Sequence, residues 1–176
     1  MTPSDGVSER FDRLPSNPTH SEGPSRAEVC VYFADRFGID RSIFDPFTFW
    51  ERGRGKIWAF RGTAESPVEA EGLGIHLLRT RGTHWKPTTT AVQTFGHHAS
   101  RNVICLGAPA DQKFWQGIDQ SLEWDGEWGY LIVAHEVGGT YEPLGVGLYL
   151  DGTLRSVVPK ARQDPIVTAE PADHDR

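Results

Sequence analysis

Residues 141–162 read YEPLGVGLYLDGTLRSVVPKAR and are the most informative segment of the chain. Apolar residues alternate with others from Leu144 to Leu150, which is the two-residue period of a β-strand. The pair Asp151-Gly152 comes next, and Asp-Gly favours a tight hairpin turn because glycine adopts positive φ without steric cost. A second strand from Thr153 to Val157 completes the predicted hairpin.

The segments before this hairpin predict more short strands and one helix. The strands are expected at Ile75–Arg79, Asn102–Leu106 and Gly129–His135. Pro87 fits an early helical position, and Thr88 or Thr89 can cap a helix that continues to Phe95. Short strands with glycine at their bends favour a small mixed β-barrel.

The N-terminal half predicts a helix followed by a hairpin. Ser25 and Glu28 have the spacing of a capping box, and Gly38 is the expected helix end. The apolar face of this helix consists of Val29, Tyr32, Phe33 and Phe37. Two aromatic-rich segments, Phe47–Glu51 and Lys56–Phe60, then predict strands around a glycine-containing turn.

Composition suggests two tails and two domains. Residues 1–25 and 163–176 are rich in Ser, Pro, Asp and Glu with few large apolar groups, so we predict that both are disordered. We place a first domain at 26–71 and a second at 72–162. The net charge of the chain is −6, but residues 26–162 hold 15 basic and 16 acidic residues and are nearly neutral. The acidic total therefore does not exclude a polyanionic partner.

The chain shows no secretory signal and no apolar run long enough to cross a membrane, so a cytoplasmic protein is expected. Cys30 and Cys105 both lie among apolar residues and are predicted to be buried thiols. Arginine outnumbers lysine 14 to four, and an acidic, lysine-poor composition is typical of halophiles.

Several motifs occur in an order that resembles a known pair of domains. They are Gly74-Ile-His-Leu-Leu78, Lys86-Pro-Thr88, Phe114-Trp-Gln-Gly117, Gly129-Tyr-Leu-Ile-Val133, Pro143-Leu-Gly-Val-Gly147 and Pro159-Lys160. This order is similar to a pre-PUA plus PUA pair, as in small ribosome-assembly factors and in the PUA-like domain of Sun-type RNA cytosine-5 methyltransferases. The resemblance implies an α+β fold, with a small α/β pre-PUA-like domain followed by a mixed β pseudobarrel.

The resemblance also implies a non-catalytic RNA-binding protein, with rRNA or tRNA as its partner in ribosome biogenesis, rRNA processing or RNA modification. The contacts are expected in the segment holding Arg79, Arg81, His84, Trp85 and Lys86, joined by Lys160 and Arg162 near the terminal Pro-Lys. A second cationic group, Arg52, Arg54 and Lys56, lies on the first hairpin. Both groups also fit a plainer interpretation, in which the first is a solvated loop with a core Trp and the second a soluble turn.

No residue pattern indicates catalysis, a cofactor or a metal. Neither cysteine follows Pro or Thr, as the nucleophile of a Sun-type methyltransferase would, and no Gly-x-Ser-x-Gly elbow is present. We therefore predict that the protein is not an enzyme, although it could assist an RNA methyltransferase. The alternative is a protein-interaction subunit, in which an exposed patch among the tryptophans docks a ribosomal protein or an RNA-modifying enzyme.

Overall fold

The computed structural model describes residues 10–163, which form an α+β fold with two β-sheets, one of them curled into a half-barrel. The helices are α1 (Arg26–Phe37), α2 (Thr89–Phe95) and α3 (Ala110–Trp115), with short 3-10 turns at Arg41–Phe44, Gly96–His98 and Lys160–Arg162. The strands are β1 (Arg10–Arg13), β2 (Phe47–Glu51), β3 (Lys56–Arg61), β4 (Val68–Glu69), β5 (Ile75–Arg79), β6 (Lys86–Pro87), β7 (Val103–Leu106), β8 (Gln120–Ser121), β9 (Gly129–Val137), β10 (Thr140–Leu150) and β11 (Thr153–Ser156).

The first sheet is antiparallel and has the order β4-β1-β2-β3-β5-β6. A bulge interrupts the pairing of β3 with β5: Ile57 is the partner of Leu78, but Trp58 is the partner of His76. Leu77 is therefore an extra residue on β5, and both it and Leu78 are fully buried. The bulge thus places two consecutive leucines in the core, while Arg79 directly after them is exposed.

The second sheet has the order β7-β9-β10-β11-β8, with β7 parallel to β9 and the other pairs antiparallel. The predicted hairpin at its centre is confirmed: Asp151 and Gly152 have φ values of 49° and 77°, the left-handed conformation that a tight turn between two strands requires. Residues 136–142 extend the hairpin of β9 and β10, because Val137 pairs with Thr140.

The capping box of α1 is confirmed. The Ser25 hydroxyl accepts a hydrogen bond from the backbone N–H of Glu28, and the Glu28 carboxylate accepts one of 2.7 Å from the Ser25 N–H. Gly38 ends the helix with φ at 64°. The apolar face of α1 then packs into a core that also receives side chains from β2, β3, β5, α2, β9 and β10.

The predicted N-terminal disorder is wrong for Arg10–Arg13, which lie within the segment 1–25. Arg10–Arg13 forms β1 between β2 and β4, and the ring of Phe11 is fully buried with an edge-on contact to Trp58 at 5.5 Å. A single aromatic residue between charged residues does not form an alternating apolar pattern. Only the pairing with β2 and β4 therefore identifies Arg10–Arg13 as a strand. Residues 1–9 and 164–176 lie outside the described part of the chain, as do the predictions made for them.

The predicted boundary between residues 71 and 72 does not separate two sheets. β5 and β6 follow this boundary in sequence but extend the sheet that contains β1–β4. Leu77, Leu78 and the apolar face of α2 belong to the same core as α1. The halves before and after residue 72 are therefore joined by one sheet and one core.

The prediction that both cysteines are buried holds for Cys30 and is wrong for Cys105. Cys105 lies on β7, the edge strand of the second sheet, where Ile104 and Leu106 turn inwards and Cys105 turns to solvent. A four-residue apolar run does not reveal which of its faces is covered.

Candidate nucleic-acid interface

Three cations form a row across neighbouring strands at one end of the first sheet. Lys56 on β3 is the register partner of Arg79 on β5, and Arg79 is the register partner of Lys86 on β6. Side chains at directly opposite positions of antiparallel strands project from the same face of a sheet. Like charges in such positions repel one another, so an anion bound beside them would stabilise the row.

The turn between β2 and β3 brings further cations to the same end of the sheet. The backbone N–H of Thr80 donates a hydrogen bond of 2.8 Å to the carbonyl of Gly55. Gly55 has φ at 73°, and a Cβ at this position would lie 2.6 Å from Cγ of Arg81. Arg81 therefore packs directly on the turn that carries Arg54, and glycine permits this close approach.

We call Arg54, Lys56, Arg79, Arg81, His84 and Lys86 the cationic patch. Lys86 is half-buried and the other five are exposed. The ion pairs among residues 10–163 are Arg10–Asp12, Arg36–Glu127 and His135–Asp111. No carboxylate in the described part of the chain therefore forms an ion pair with the cationic patch. Burial, and then the charge of Arg79, lowers the pKa of Lys86.

Two acidic residues also lie at this end of the sheet. Asp12 on β1 and Glu51 on β2 are register partners. Burial raises the pKa of Glu51, while a hydrogen bond from the backbone of Gly55 opposes this shift. The Glu51 carboxylate therefore reaches the turn that carries Arg54, but among the described residues it forms no ion pair with the cationic patch.

Three of the predicted site residues lie apart from the patch. Arg52 donates a hydrogen bond to the carbonyl of Glu71, and its guanidinium lies 5.3 Å from the centre of the Phe11 ring. Gly53 and Gly55 both have positive φ and reverse the chain, so Arg52, Arg54 and Lys56 do not lie along one strand.

The C-terminal cations lie at a different element. Lys160 and Arg162 belong to the last 3-10 turn, and the Arg162 guanidinium donates to Thr90 at 3.1 Å and to Gln93 at 3.4 Å, both on α2. Within residues 10–163, no hydrogen bond or ion pair connects either cation to the cationic patch.

A cleft of about 430 Å³ adjoins the cationic patch. Its wall is largely apolar and includes Tyr32, His84, Trp85, Trp128, Tyr130 and Leu150, which we call the aromatic cleft. Trp128 and Leu150 are 58% and 40% exposed, high fractions for large apolar side chains. His84 belongs to both features, and Nζ of Lys86 lies 6.0 Å from the centre of the Tyr130 ring. The aromatic cleft and the cationic patch therefore share one surface.

Sequence reasoning missed most of the aromatic cleft. It identifies Trp85 as a contact, and Trp128 only as one of several tryptophans that could be exposed. Of the other tryptophans, Trp50 is buried, while Trp58, Trp115 and Trp124 are half-buried. The cleft forms where α1, the segment before β6, the start of β9 and the end of β10 meet. No local pattern identifies a site built from four segments so far apart in sequence.

His76 lies behind the cationic patch and is held neutral. Its ring stacks on Trp58 with centroids 5.0 Å apart, and its Nε2 has no hydrogen-bond partner among the described residues. Burial, together with the charges of Arg79 and Lys56, lowers the pKa of His76 to about 4. An unfolded histidine has a pKa of about 6.5. The unfolded chain therefore binds more protons than the folded chain between these two values.

We expect the free energy of unfolding to fall as the pH is lowered from about 6.5 towards 4, because protonation favours the unfolded state. Replacing His76 by Phe keeps an aromatic ring on Trp58 and removes the titrating nitrogen, so it should flatten this part of the profile. Urea unfolding of both proteins at pH 7 and pH 5 measures the difference. An equal fall in both would show that His76 does not titrate in this range.

The protein therefore has an α+β fold in which the cationic patch, at one end of the first sheet, lies beside the aromatic cleft. A family of unknown function (DUF7122) has a model that matches residues 1–74 of the chain. The matched segment contains α1 and the four strands that precede β5. No curated protein matches the chain.

Two further observations concern the described residues alone. None of their helices combines the length and the apolar character needed to cross a bilayer. Among residues 10–163, no three His, Cys, Asp or Glu side chains are close enough together to hold a metal ion.

Proposed function

We propose that this protein binds RNA through the cationic patch and has no catalytic role of its own. The observation that supports this most is the meeting of two cationic segments that are separate in sequence. Lys56 and Arg79 lie opposite each other, and Arg81 packs on the turn that carries Arg54. Such a cluster of mobile cations, without carboxylate partners in the described part of the chain, suits the phosphates of a nucleic-acid backbone.

RNA is favoured over duplex DNA because aromatic groups adjoin the cations. Proteins that recognise RNA commonly target loops and bulges, where unpaired bases can stack on aromatic side chains. The half-barrel sheet is compatible with a pseudobarrel, and we include a pre-PUA and PUA-like relationship in the proposal. On that basis the RNA is rRNA or tRNA, and the role is in ribosome assembly or RNA modification in the cytoplasm.

One observation favours a second function. Trp128 and Leu150 expose apolar surface at the same cleft, as a docking site for a ribosomal protein or an RNA methyltransferase would. The two functions differ in how they depend on charge. Phosphate contacts weaken steeply as salt rises, whereas burial of an apolar surface does not.

The test is the salt dependence of RNA binding by an Arg79→Ala/Arg81→Ala double variant. Removal of each phosphate contact reduces the slope of log affinity against log salt by about 0.7–0.9, so the slope of the double variant should be smaller by about 1.5. Fluorescence anisotropy with a labelled tRNA transcript over a series of KCl concentrations measures this.

The matched control is Lys113→Ala/Arg155→Ala, which removes two exposed cations from α3 and β11. The control should leave slope and affinity unchanged. If both double variants weaken binding equally, the protein attracts RNA only through its overall charge. If neither variant changes binding, the cationic patch is not the contact surface.

A further inference from the structure

One half-buried arginine, Arg36, fixes the backbone of one wall of the aromatic cleft. The guanidinium of Arg36 donates to the carbonyl of Tyr130 at 2.9 and 3.1 Å and to the carbonyl of Trp128 at 3.1 Å. It also forms an ion pair of 2.7 Å with Glu127. These bonds fix the backbone on both sides of Gly129, which has φ at 111°. Arg36 is thus occupied with positioning the cleft, and its guanidinium is bonded to the protein itself.

The opposite wall of the cleft is fixed as well. The Tyr32 hydroxyl donates a hydrogen bond of 3.2 Å to the carbonyl of Trp85, and the two rings lie 5.4 Å apart. Trp85 is half-buried against the main core. The indole of Trp128 remains 58% exposed although its own backbone is fixed. The backbone around the cleft is therefore fixed before a ligand binds, which lowers the cost of binding a planar ligand.

Charge indicates which planar ligand fits. His84 lines the cleft directly, and Lys86 reaches over the ring of Tyr130 at its edge. An apolar pocket with the imidazole of His84 in its wall and the charge of Lys86 at its edge suits a group that is flat and aromatic at one end and anionic at the other. A nucleotide has this chemistry, and about 430 Å³ lies within the range of roughly 300–1,000 Å³ typical of small-ligand sites.

We propose that the aromatic cleft holds one unpaired nucleobase of the bound RNA, stacked on the indole of Trp128, with its phosphate beside His84 and Lys86. This inference rests on the proposed RNA-binding function and adds a site to it. The cationic patch holds the backbone of the RNA, and the cleft selects RNA that can offer an extruded base. Stacking tolerates any base, because every base has a π-face.

The test uses two RNA hairpins that differ at one position. The first carries a single bulged adenosine, and the second carries an abasic ribose at the same bulge. The full-length protein should bind the first hairpin about tenfold more tightly, as expected for one base stacked on an aromatic ring. Tryptophan emission should be quenched by the first hairpin and much less by the second.

Variants at Trp128 connect this preference to the cleft. Trp128→Ala should bind both hairpins with the affinity of the wild type for the abasic one, and Trp128→Phe should retain most of the preference. Val137→Ala, at another exposed apolar residue, should behave as wild type.

The possible failures have different signatures. If Arg79→Ala/Arg81→Ala weakens both hairpins but the wild type binds them equally, the cleft does not hold a base and the proposed function stands. If Trp128→Ala keeps the full preference for the bulged adenosine over the abasic ribose, the base binds elsewhere. That result would overturn the proposed nucleobase site and favour a protein segment as the ligand of the cleft. If the wild type binds neither hairpin in a salt-dependent way, the proposed function itself is wrong.

Discussion

Replacing Gly74 by alanine is expected to lower the free energy of unfolding by about 4 kcal/mol, since it adds backbone strain to a steric overlap. Gly74 has φ at 69°, and it directly precedes β5. A Cβ at this position would overlap the carbonyl oxygen of Ala59 on β3 and would lie 2.9 Å from the Ala59 carbonyl carbon. These are backbone atoms of a paired strand, so they cannot move aside as a flexible side chain could.

Substitutions at two other glycines distinguish the cost of backbone strain from the cost of steric overlap in Gly74→Ala. Gly82→Ala introduces a side chain at φ 98° with no atom within 4 Å, so it should cost only the conformational strain, about 1–2 kcal/mol. Gly72→Ala has open space and an ordinary φ, so its effect should be within about 1 kcal/mol of zero. Urea unfolding followed by circular dichroism ranks the three variants. If Gly74→Ala is no less stable than Gly82→Ala, the start of β5 does not approach β3 as closely as described.

Gly74 also connects stability to the proposed site. β5 carries Arg79, whose position opposite Lys56 depends on the pairing of β5 with β3. We therefore expect any Gly74→Ala protein that remains folded to bind RNA more weakly than Gly82→Ala does. A loss of affinity without a loss of stability would instead suggest that residue 74 itself contacts the RNA.

The elements predicted correctly are those whose signals are local. α1 is specified by its capping box and by Gly38, and the hairpin of β10 and β11 by Asp151-Gly152. In each case neighbouring residues meet the hydrogen-bonding and conformational needs of the element without help from distant parts of the chain. Such signals remain readable when the tertiary fold is unknown.

The features that sequence reasoning missed depend on distant partners. β1 is a strand only because β2 and β4 lie on either side of Phe11. The division at residue 72 follows a polar linker, yet the chain after that linker returns to pair with β3. Amino-acid composition shows which segments are polar. It does not show which edge strand of a sheet can still pair with a later segment of the chain.

The candidate site shows the same division between local and distant information. Both cationic segments are identifiable from their composition, because a group of arginines and lysines is visible in a short window. Their meeting depends on the register that sets Lys56 opposite Arg79, and the bulge at Leu77 fixes that register. A shift of one residue would send Arg79 to the other face of the sheet. The patch is therefore a product of tertiary pairing as well as of local charge.

Replacing Phe44 by alanine should reveal whether the chain unfolds as one unit. Phe44 is fully buried, and its ring lies 5.3 Å from that of Phe33, 5.7 Å from that of Phe49 and 5.0 Å from that of Phe95. These three partners belong to α1, β2 and α2, so the cluster joins elements on both sides of residue 72. Removal of a buried Phe side chain costs about 3–5 kcal/mol, and its packing against three other rings places this site towards the upper end.

Because one core joins the two halves, the loss of stability should appear in both sheets at once. Amide hydrogen exchange should show that protection in β3 and in β10 falls by the same free energy in Phe44→Ala. Phe44→Leu, which keeps most of the apolar volume, should cause a clearly smaller loss, and Val137→Ala should change stability by less than about 0.5 kcal/mol. If protection falls in β3 but not in β10, the halves unfold separately. In that case the cationic patch and the start of β9 would not form the single rigid surface on which the proposed binding of a nucleobase depends.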